Sequence, residues 1–572
     1  MTDSLPLQPG RSPSSSETDH LDSWKEIAAY LNREVRTLQR WEKLENLPVH
    51  RHQHDTLASV YAYKSELDAW RRQRQLRPLH GSPLARNDGQ ARRDALRRRE
   101  SKAGKIRLVV LPFGNLSGDS GQEYFSDGLT EEMITQLGRL DPSRLGVIGR
   151  TTAMSYRGTG KRIDQIANEL DVDYLLEGSV RRSGDRVRIS AQLIRASDQT
   201  HLWSETYDRD VRDVLVLQDE VAQRIAREIR LALPAQRLAR AAARRQVNPE
   251  AYEAYLKGRS LWYERSNPAL AKSIGHFQNA IRRDPDYALA HAGLADAFGL
   301  LAIIPWDGLC PKEAMPQAKK AARRALEIDD TLAEAHSSLA MVLHRYDWDW
   351  HSAERSYKRA IELNPYNARP HLWYGWLLMS EGRRDEALAE LREAEEVAKR
   401  IDPLGLADIR ATVANSLYMA REYDQAIEEC RRTNELNGTY FLSLYVLGRS
   451  YAQKRMYAKA LDVLKKAIVS NPHNLLLVAA LGHTYGLSGD KAKALGTLKE
   501  LKDLRRKRYV PAIYVAAIYS GLSETDQAFV WLEKSYGERS DGMTYLKIER
   551  LFDSLHSDPR FPDLMKRVGF ST

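Results

Sequence analysis

Polar and apolar positions along the chain follow two periods, and the switch between them marks out its parts. Trp24, Ile27, Ala28 and Leu31 recur at i, i+3, i+4 and i+7, one face of a helix. Ser23 precedes it and Glu26 lies three residues on, the pattern of a capping box. After Asn32-Arg33-Glu34 a second helix is predicted from about Val35 to Leu44, with Val35, Leu38 and Trp41 apolar. Val49–Tyr63 alternates like a strand, and Lys64–Arg74 reads as a closing helix with Leu67 and Trp70 turned inward. Ile106–Phe113 reads as a buried strand, Asp127–Leu140 as a helix and Leu145–Gly149 as a short strand. Ile163, Ile166, Ala167 and Leu170 form another helical stripe. Tyr174–Arg182 and Arg186–Arg195 are two strands joined at Ser183-Gly184-Asp185, a hairpin signal. A last helix follows through Val214, Leu217, Val221, Ile225 and Ile229. From about residue 250 the period is helical to the end, in units near 34 residues long.

These elements predict a multidomain, mainly α protein. A small winged helix-turn-helix comes first, then an α/β domain with a mixed sheet and two or three helices, then an α-solenoid. The boundaries fall at 1–21 for a disordered tail, 22–76 for the winged module, 77–105 for a basic linker, 106–235 for the α/β domain, and 248–572 for the repeat array with its terminal cap. A chain of 572 residues has room for three or four domains.

Charge sharpens this layout. The net charge is +10, and residues 1–105 hold 20 basic against 14 acidic residues, a surplus of six. Residues 71–105 alone hold 12 basic and 3 acidic, which suits either an anionic partner or a solvated linker. Cys310 and Cys430, both in predicted helices, are too far apart in sequence to suggest a disulfide framework, so a reducing compartment fits. The first 20 residues lack an apolar signal region, and the longest apolar stretch, Gly293–Trp306, is interrupted by Asp296. A soluble, cytoplasmic chain without membrane contact is expected.

The predicted second helix has a polar face built from Arg36, Thr37, Arg40 and Lys43. Ser23-Trp-Lys-Glu-Ile-Ala-Ala-Tyr-Leu31, Val35-Arg-Thr-Leu-Gln-Arg-Trp-Glu42, Leu47-Pro48 and Ser65-Glu-Leu-Asp-Ala-Trp70 together resemble the winged helix-turn-helix of the MerR/excisionase group. The resemblance implies that this helix enters the DNA major groove, where Arg36, Thr37, Arg40 and Lys43 meet phosphates or base edges. It also implies a wing in which His50, Arg51 and His52 touch the backbone. Two departures stand out: Asn32-Arg33-Glu34 replaces the usual small residue of the turn, and the wing lacks a Gly at its tip. His50, His52 and His54 share one strand face and are a candidate metal set, but no Cys or carboxylate completes it and the wing explains the same residues. No metal and no cofactor is expected.

In the α/β region, Leu111-Pro-Phe-Gly-Asn-Leu-Ser117, Tyr124-Phe-Ser-Asp-Gly-Leu-Thr-Glu131, Tyr174-Leu-Leu-Glu-Gly-Ser-Val-Arg181 and His201-Leu-Trp-Ser-Glu-Thr-Tyr-Asp208 resemble the TolB-like N-terminal domain. That domain often precedes tetratricopeptide arrays in regulators and in accessory parts of class III nucleotide cyclases. The resemblance implies a fold and a domain company, not a chemistry. Catalytic patterns fail on inspection. Gly118-Asp-Ser-Gly121 has the letters of a protease nucleophile loop but continues into Gln122. Gly158-Thr-Gly-Lys161 has Ser155 and Arg162 where a phosphate loop needs Gly and Ser/Thr. No cyclase domain with paired metal-binding acids is found, and the chain is not expected to be an enzyme.

The clearest repeat spans 441–472, with Leu444, Leu447, Gly448, Tyr451, Ala460, Leu464, Ala467 and Pro472 where tetratricopeptide repeats place small and large residues. Pro285, Pro365, Pro403 and Pro472 mark turns between units. The interval from Pro285 to Pro365 holds two units with insertions around Ile304–Pro316 and Asp347–Trp350. Seven or eight units are expected, wound as a right-handed superhelix whose groove takes an extended peptide or partner helix. Leu551–Leu555 and Asp558–Phe561 read as a terminal cap. The expected function is a DNA-binding transcriptional regulator with a protein-interaction array. The alternative is an adaptor for a signalling complex that does not bind DNA. Many readers of this size bind as dimers, which leaves a homo-oligomer open.

Overall fold

The computed structural model describes residues 19–31, 35, 38, 42, 47–51, 60–68, 70, 106–141, 144–231, 247–264, 266–303, 308–401 and 406–570. The chain divides into two compact units, Met1–Glu100 and Ser101–Thr572.

In the first unit β1 (His20–Leu21) and β2 (His50–Arg51) flank β3 (Val60–Tyr63), both antiparallel to it. Helix α1 (Trp24–Leu31) turns Ile27, Ala28 and Leu31 inward. They meet Leu21, Leu38, Leu47, Ala62 and Leu67 in one small core. Ser23 Oγ accepts from the Glu26 amide at 3.2 Å, while the Glu26 carboxylate accepts from Asp22 N at 2.9 Å. The return bond of the expected capping box is therefore made one residue earlier. The tail, the linker and most of the predicted second helix lie outside the described residues. Of that helix, Val35, Leu38 and Glu42 are described and helical, and Leu38 is fully buried.

The second unit begins with a mixed sheet. Its elements are β4 (Ile106–Val110), β5 (Gly114–Asn115), α2 (Glu123–Leu140), β6 (Leu145–Val147), α3 (Arg150–Met154), α4 (Ile163–Leu170), β7 (Tyr174–Ser183), β8 (Arg186–Arg195), β9 (His201–Asp210) and α5 (Val214–Glu228). The strand order is β6-β4-β7-β8-β9, with β5 paired to β7. β4 is parallel to β6 and β7, whereas β7, β8 and β9 form an antiparallel meander. Successive side chains of β4 alternate between faces. Leu108 and Val110 join one core with α2 and α5, while Val109 and Leu111 join a second with α3 and α4.

The helical period of the rest resolves into eight helix pairs among the described residues. They are α6 (Pro249–Tyr263) with α7 (Asn267–Arg283), α8 (Ala288–Ile303) with α9 (Pro311–Ile328), α10 (Ala333–Val342) with α11 (Trp350–Leu363), and α12 (Ala368–Glu381) with α13 (Arg384–Ile401). There follow α14 (Leu406–Met419) with α15 (Tyr423–Leu436), α16 (Phe441–Gln453) with α17 (Tyr457–Ser470), α18 (Leu475–Leu487) with α19 (Lys491–Arg505), and α20 (Ala512–Gly521) with α21 (Thr525–Glu538). Small residues sit where helices touch. A Cβ on Gly258 or Gly293 would lie under 3.0 Å from the Phe277 ring, and one on Gly448 would strike Leu464. Two 3₁₀ turns, Asp541–Tyr545 and Arg550–Leu555, precede the final helix α22 (Arg560–Arg567).

Several expectations are corrected. Helix α2 starts at Glu123, not Asp127. The first strand stops at Val110 and the next at Val147. β9 was not foreseen: it is an edge strand in which only Trp203 and Tyr207 are buried, so the half-buried alternation is nearly silent. Four helices pack on the sheet rather than two or three, the extra one being the short α3. Pro311–Pro316 belongs to α9, because Pro311 at its first position fits the helix without needing an N–H. Cys310 accordingly stands at the position just before that helix instead of within it. Asp347–Trp350 is an insertion as expected, made by a π-type turn over Leu343–Asp347 and Trp348 at φ 60°.

Candidate functional sites

The residues expected to read DNA are mostly outside the described region: Arg36, Thr37, Arg40, Lys43 and His52 all fall there. His50 and Arg51 form β2, paired with Tyr61 and Val60 of β3. His50 Nε2 lies 2.6 Å from Glu66 Oε2, and its ring stacks on Tyr61 at 5.1 Å. The carboxylate missing from the sequence reading of the histidine strand is therefore supplied by Glu66, from the helical segment 64–68, as a hydrogen-bond partner of one imidazole. Asp19 accepts from both the amide and the hydroxyl of Ser65, and Tyr30 donates to Asp68 at 2.9 Å. These bonds tie the first strand and α1 to the closing helical segment.

The two short sequence patterns set aside above are turns. Asp119 accepts from the amide of Gly121 at 2.8 Å, closing the loop at 118–121. Gly158 and Gly160 adopt φ near +60°, and Lys161 pairs with both oxygens of Glu169 at 2.8 Å.

The second unit contains a site the sequence did not reveal. Helices α2 and α6 pack tightly, since a Cβ on Gly128 would collide with Leu256. Along this seam Glu131 accepts from Arg259 Nε and from the Tyr263 hydroxyl, each at 2.9 Å. Arg150 stacks 4.0 Å over the Tyr263 ring. Burial, and then the Glu131 charge, push the Tyr263 hydroxyl up to about 12. Glu132 accepts from Tyr255 at 2.8 Å. Burial, and then its neighbour Glu131, raise the Glu132 carboxyl from 4.5 to about 7.

This seam opens into a cavity of about 970 Å³ along the inner face of the array. Trp262, Arg369, Trp373 and Trp376 line it, with Arg369 stacked 4.5 Å from Trp262. Farther along lie Tyr445 and Arg449. The opposite wall is the chain's own segment after α21: Asp541, Tyr545 and Glu549. Thus only part of 541–567 caps the last pair; the rest turns back along the inner face. One signal was present in the sequence: Arg449 sits between Gly448 and Ser450 in the otherwise small and apolar face of its helix. Its partner, a hundred residues away, was not readable.

Comparison with known proteins agrees with this organisation. Residues 104–224 match the model of the HilA/YgeH-like transcriptional regulator, second domain. Residues 349–404 match a tetratricopeptide repeat model. A Rhizobium meliloti (strain 1021) protein bearing an adenylate cyclase name is 37% identical over 239 residues, 42% of this chain and 40% of that protein. The transcriptional regulator HilA of Salmonella typhimurium is 21% identical over 405 residues, covering 70% of this chain and 69% of HilA. Among solved structures, Pseudomonas aeruginosa pilF is 24% identical over 37% of this chain and 91% of its own, with a TM-score of 0.29. This chain therefore spans about two fifths of the cyclase-named relative. It carries a HilA-like regulator domain and tetratricopeptide repeats. No helix among the described residues is long and apolar enough to cross a membrane.

Proposed function

We propose that the chain is a DNA-binding transcriptional regulator whose array receives a protein or peptide partner. The observation that carries this reading is the core of the first unit. Leu38 is fully buried against Ile27, Leu31 and Leu67. A helix over 35–44, as the sequence predicts, would turn at about 100° per residue and set positions 36, 40 and 43 on the side away from Leu38. That leaves Arg36, Arg40 and Lys43, with Thr37 at the edge, as the face offered to DNA, and β2 with His50, Arg51 and His52 as the wing. The antiparallel pairing of β2 with β3 and the HilA-like domain that follows support the same reading, as does a match extending over 69% of a protein named as a transcriptional regulator. The middle domain is read as TolB-like, and the whole as a cytoplasmic protein.

Selection from a random DNA pool with the full chain tests this. An enriched motif is expected, with affinity falling on a log–log salt plot by about 0.9 per phosphate contacted. Arg40→Ala, with its helical content intact, is expected to lower that affinity. Absence of salt-dependent binding to any DNA overturns the reading. The match to a cyclase-named protein favours a second reading, an adaptor for a signalling complex; a stable co-purifying partner without DNA affinity is its signature.

A further inference from the structure

After α21 the chain does not leave the array. Arg539, in a left-handed turn, sends it back along the concave face. Asp541 pairs with Arg345, in the turn between the two helices of the third pair, at 2.7 Å. The Tyr545 ring meets Trp376 of the fourth edge-on at 5.2 Å. Glu549 pairs with Arg449 of the sixth, and Asp553 with Arg421, just beyond α14 of the fifth, at 2.8 Å. Arg550 Nε donates to the Met419 carbonyl at 2.8 Å.

The contacts have a simple code. Residues 541, 545, 549 and 553 are spaced by four and read acid, aromatic, acid, acid. The groove answers with arginine, tryptophan, arginine, arginine. Arg345 and Arg449 are 7% and 2% exposed, and Arg449 lies 4.1 Å from the Tyr418 ring and 4.5 Å from that of Tyr445. Removing the acid while a guanidinium stays buried is strongly unfavourable, so this face favours an acidic occupant over a neutral one. The segment itself is two short 3₁₀ turns, held on the last helix pair by the buried Met543, Leu546, Leu551 and Phe552 and facing the groove with its charged residues. Beside it remains the cavity of about 970 Å³, so the groove has more room than its occupant uses.

We propose that the concave face of the third to sixth helix pairs is a recognition site for an acidic peptide with an aromatic residue at four-residue spacing, and that Asp541–Asp553 is an internal ligand which such a partner displaces. This rests on reading the array as a peptide-binding surface and is independent of DNA binding.

The test uses the full chain without DNA. A fluorescent peptide of residues 540–555 is titrated against the wild type and against Asp541→Asn/Tyr545→Ala, which weakens the internal ligand. A peptide with its acids changed to amides is the control. The variant is expected to bind the acidic peptide about tenfold more tightly than the wild type, because a larger fraction of its grooves is open. It is expected to ignore the amide control. No binding by a folded variant, or equal binding of both peptides, overturns the proposal. Hydrogen exchange of the unmodified chain decides independently of any variant. Amides of 541–555 are expected to exchange at least about tenfold faster than those of α16 and α18. Equal protection would make the segment a permanent part of the fold and overturn its displacement.

Discussion

Glu132 offers a direct measure of the seam between the sheet region and the array. Its carboxyl is fully buried, accepts one hydrogen bond from Tyr255, and has an Oε2 without a hydrogen-bond partner. Burial dominates, and Glu131 adds to it; Tyr255, Arg139 and Arg259 pull the other way but do not win, so the group titrates near 7 instead of 4.5. The sign follows. Below pH 4.5 both folded and unfolded chains hold the proton, and the group carries no penalty. Between 4.5 and 7 only the unfolded chain releases it, and stability falls as pH rises. At 1.36 kcal/mol per pH unit the full penalty is roughly 3 kcal/mol, reached above pH 7. Glu132→Gln keeps an acceptor for Tyr255 and cannot ionise. Urea unfolding followed by tryptophan fluorescence is a suitable assay, because Trp262 lies two helical turns along from Tyr255 in the same helix. The variant and the wild type are expected to agree near pH 4. At pH 8 the variant is expected to be more stable by roughly 3 kcal/mol. Parallel pH profiles, or a variant less stable at pH 8, would refute the argument that burial outweighs the two arginines.

Three further outcomes are expected. Arg449→Met strands Glu549 in a buried site and is expected to cost about 3–5 kcal/mol, most of it recovered when Glu549→Leu is added; a double-mutant cycle by chemical denaturation checks this. Gly293→Val drives a side chain into the Phe277 ring and is expected to cost about 1–3 kcal/mol, with Phe277→Leu relieving part of it, read as a shift in the denaturation midpoint. His483, held neutral by burial with Nδ1 2.7 Å from the Ala517 carbonyl, titrates near 4. Its unfolded form takes up a proton below 6.5, so stability is expected to fall between pH 6.5 and 4 by roughly 3 kcal/mol, and His483→Gln should flatten that limb of the pH–stability curve.

The parts of the fold that were legible from sequence were those with an uninterrupted local period. β8 was read to the residue, because Val187, Ile189, Ala191 and Leu193 alternate without a break and Gly184 at φ 57° supplies the turn before it. Helix α2 was started four residues late because Ser126-Asp127-Gly128 looks like a helix breaker. Gly128 is there for another reason: Leu256 of α6 occupies the space its Cβ would need. Pro311 and Pro316 make the first turns of α9 resemble a loop in the sequence, although the first sits at the helix start and the second within it. The inner face of the array was the least legible. Its arginines find their acids 100 to 196 residues away, and no local pattern encodes a pairing of that span. At the first unit, the burial of Leu38 agrees with the inward stripe read for the second helix, whereas the four polar residues of its opposite face lie outside the described residues.

One core runs from Leu108 in β4 through α2 and α5 to Leu301 in α8, so the sheet region, the first helix pair and α8 are packed as a single body. A cut near residue 248 would bare Tyr252, Tyr255 and Leu256 on one side and Phe125, Leu129 and Met133 on the other. The array cannot then be exchanged between proteins as a cassette from its first helix onward. Any graft that keeps this sheet must carry α6–α8 with it, and lineages that recombine such chains should place their crossovers after the second pair.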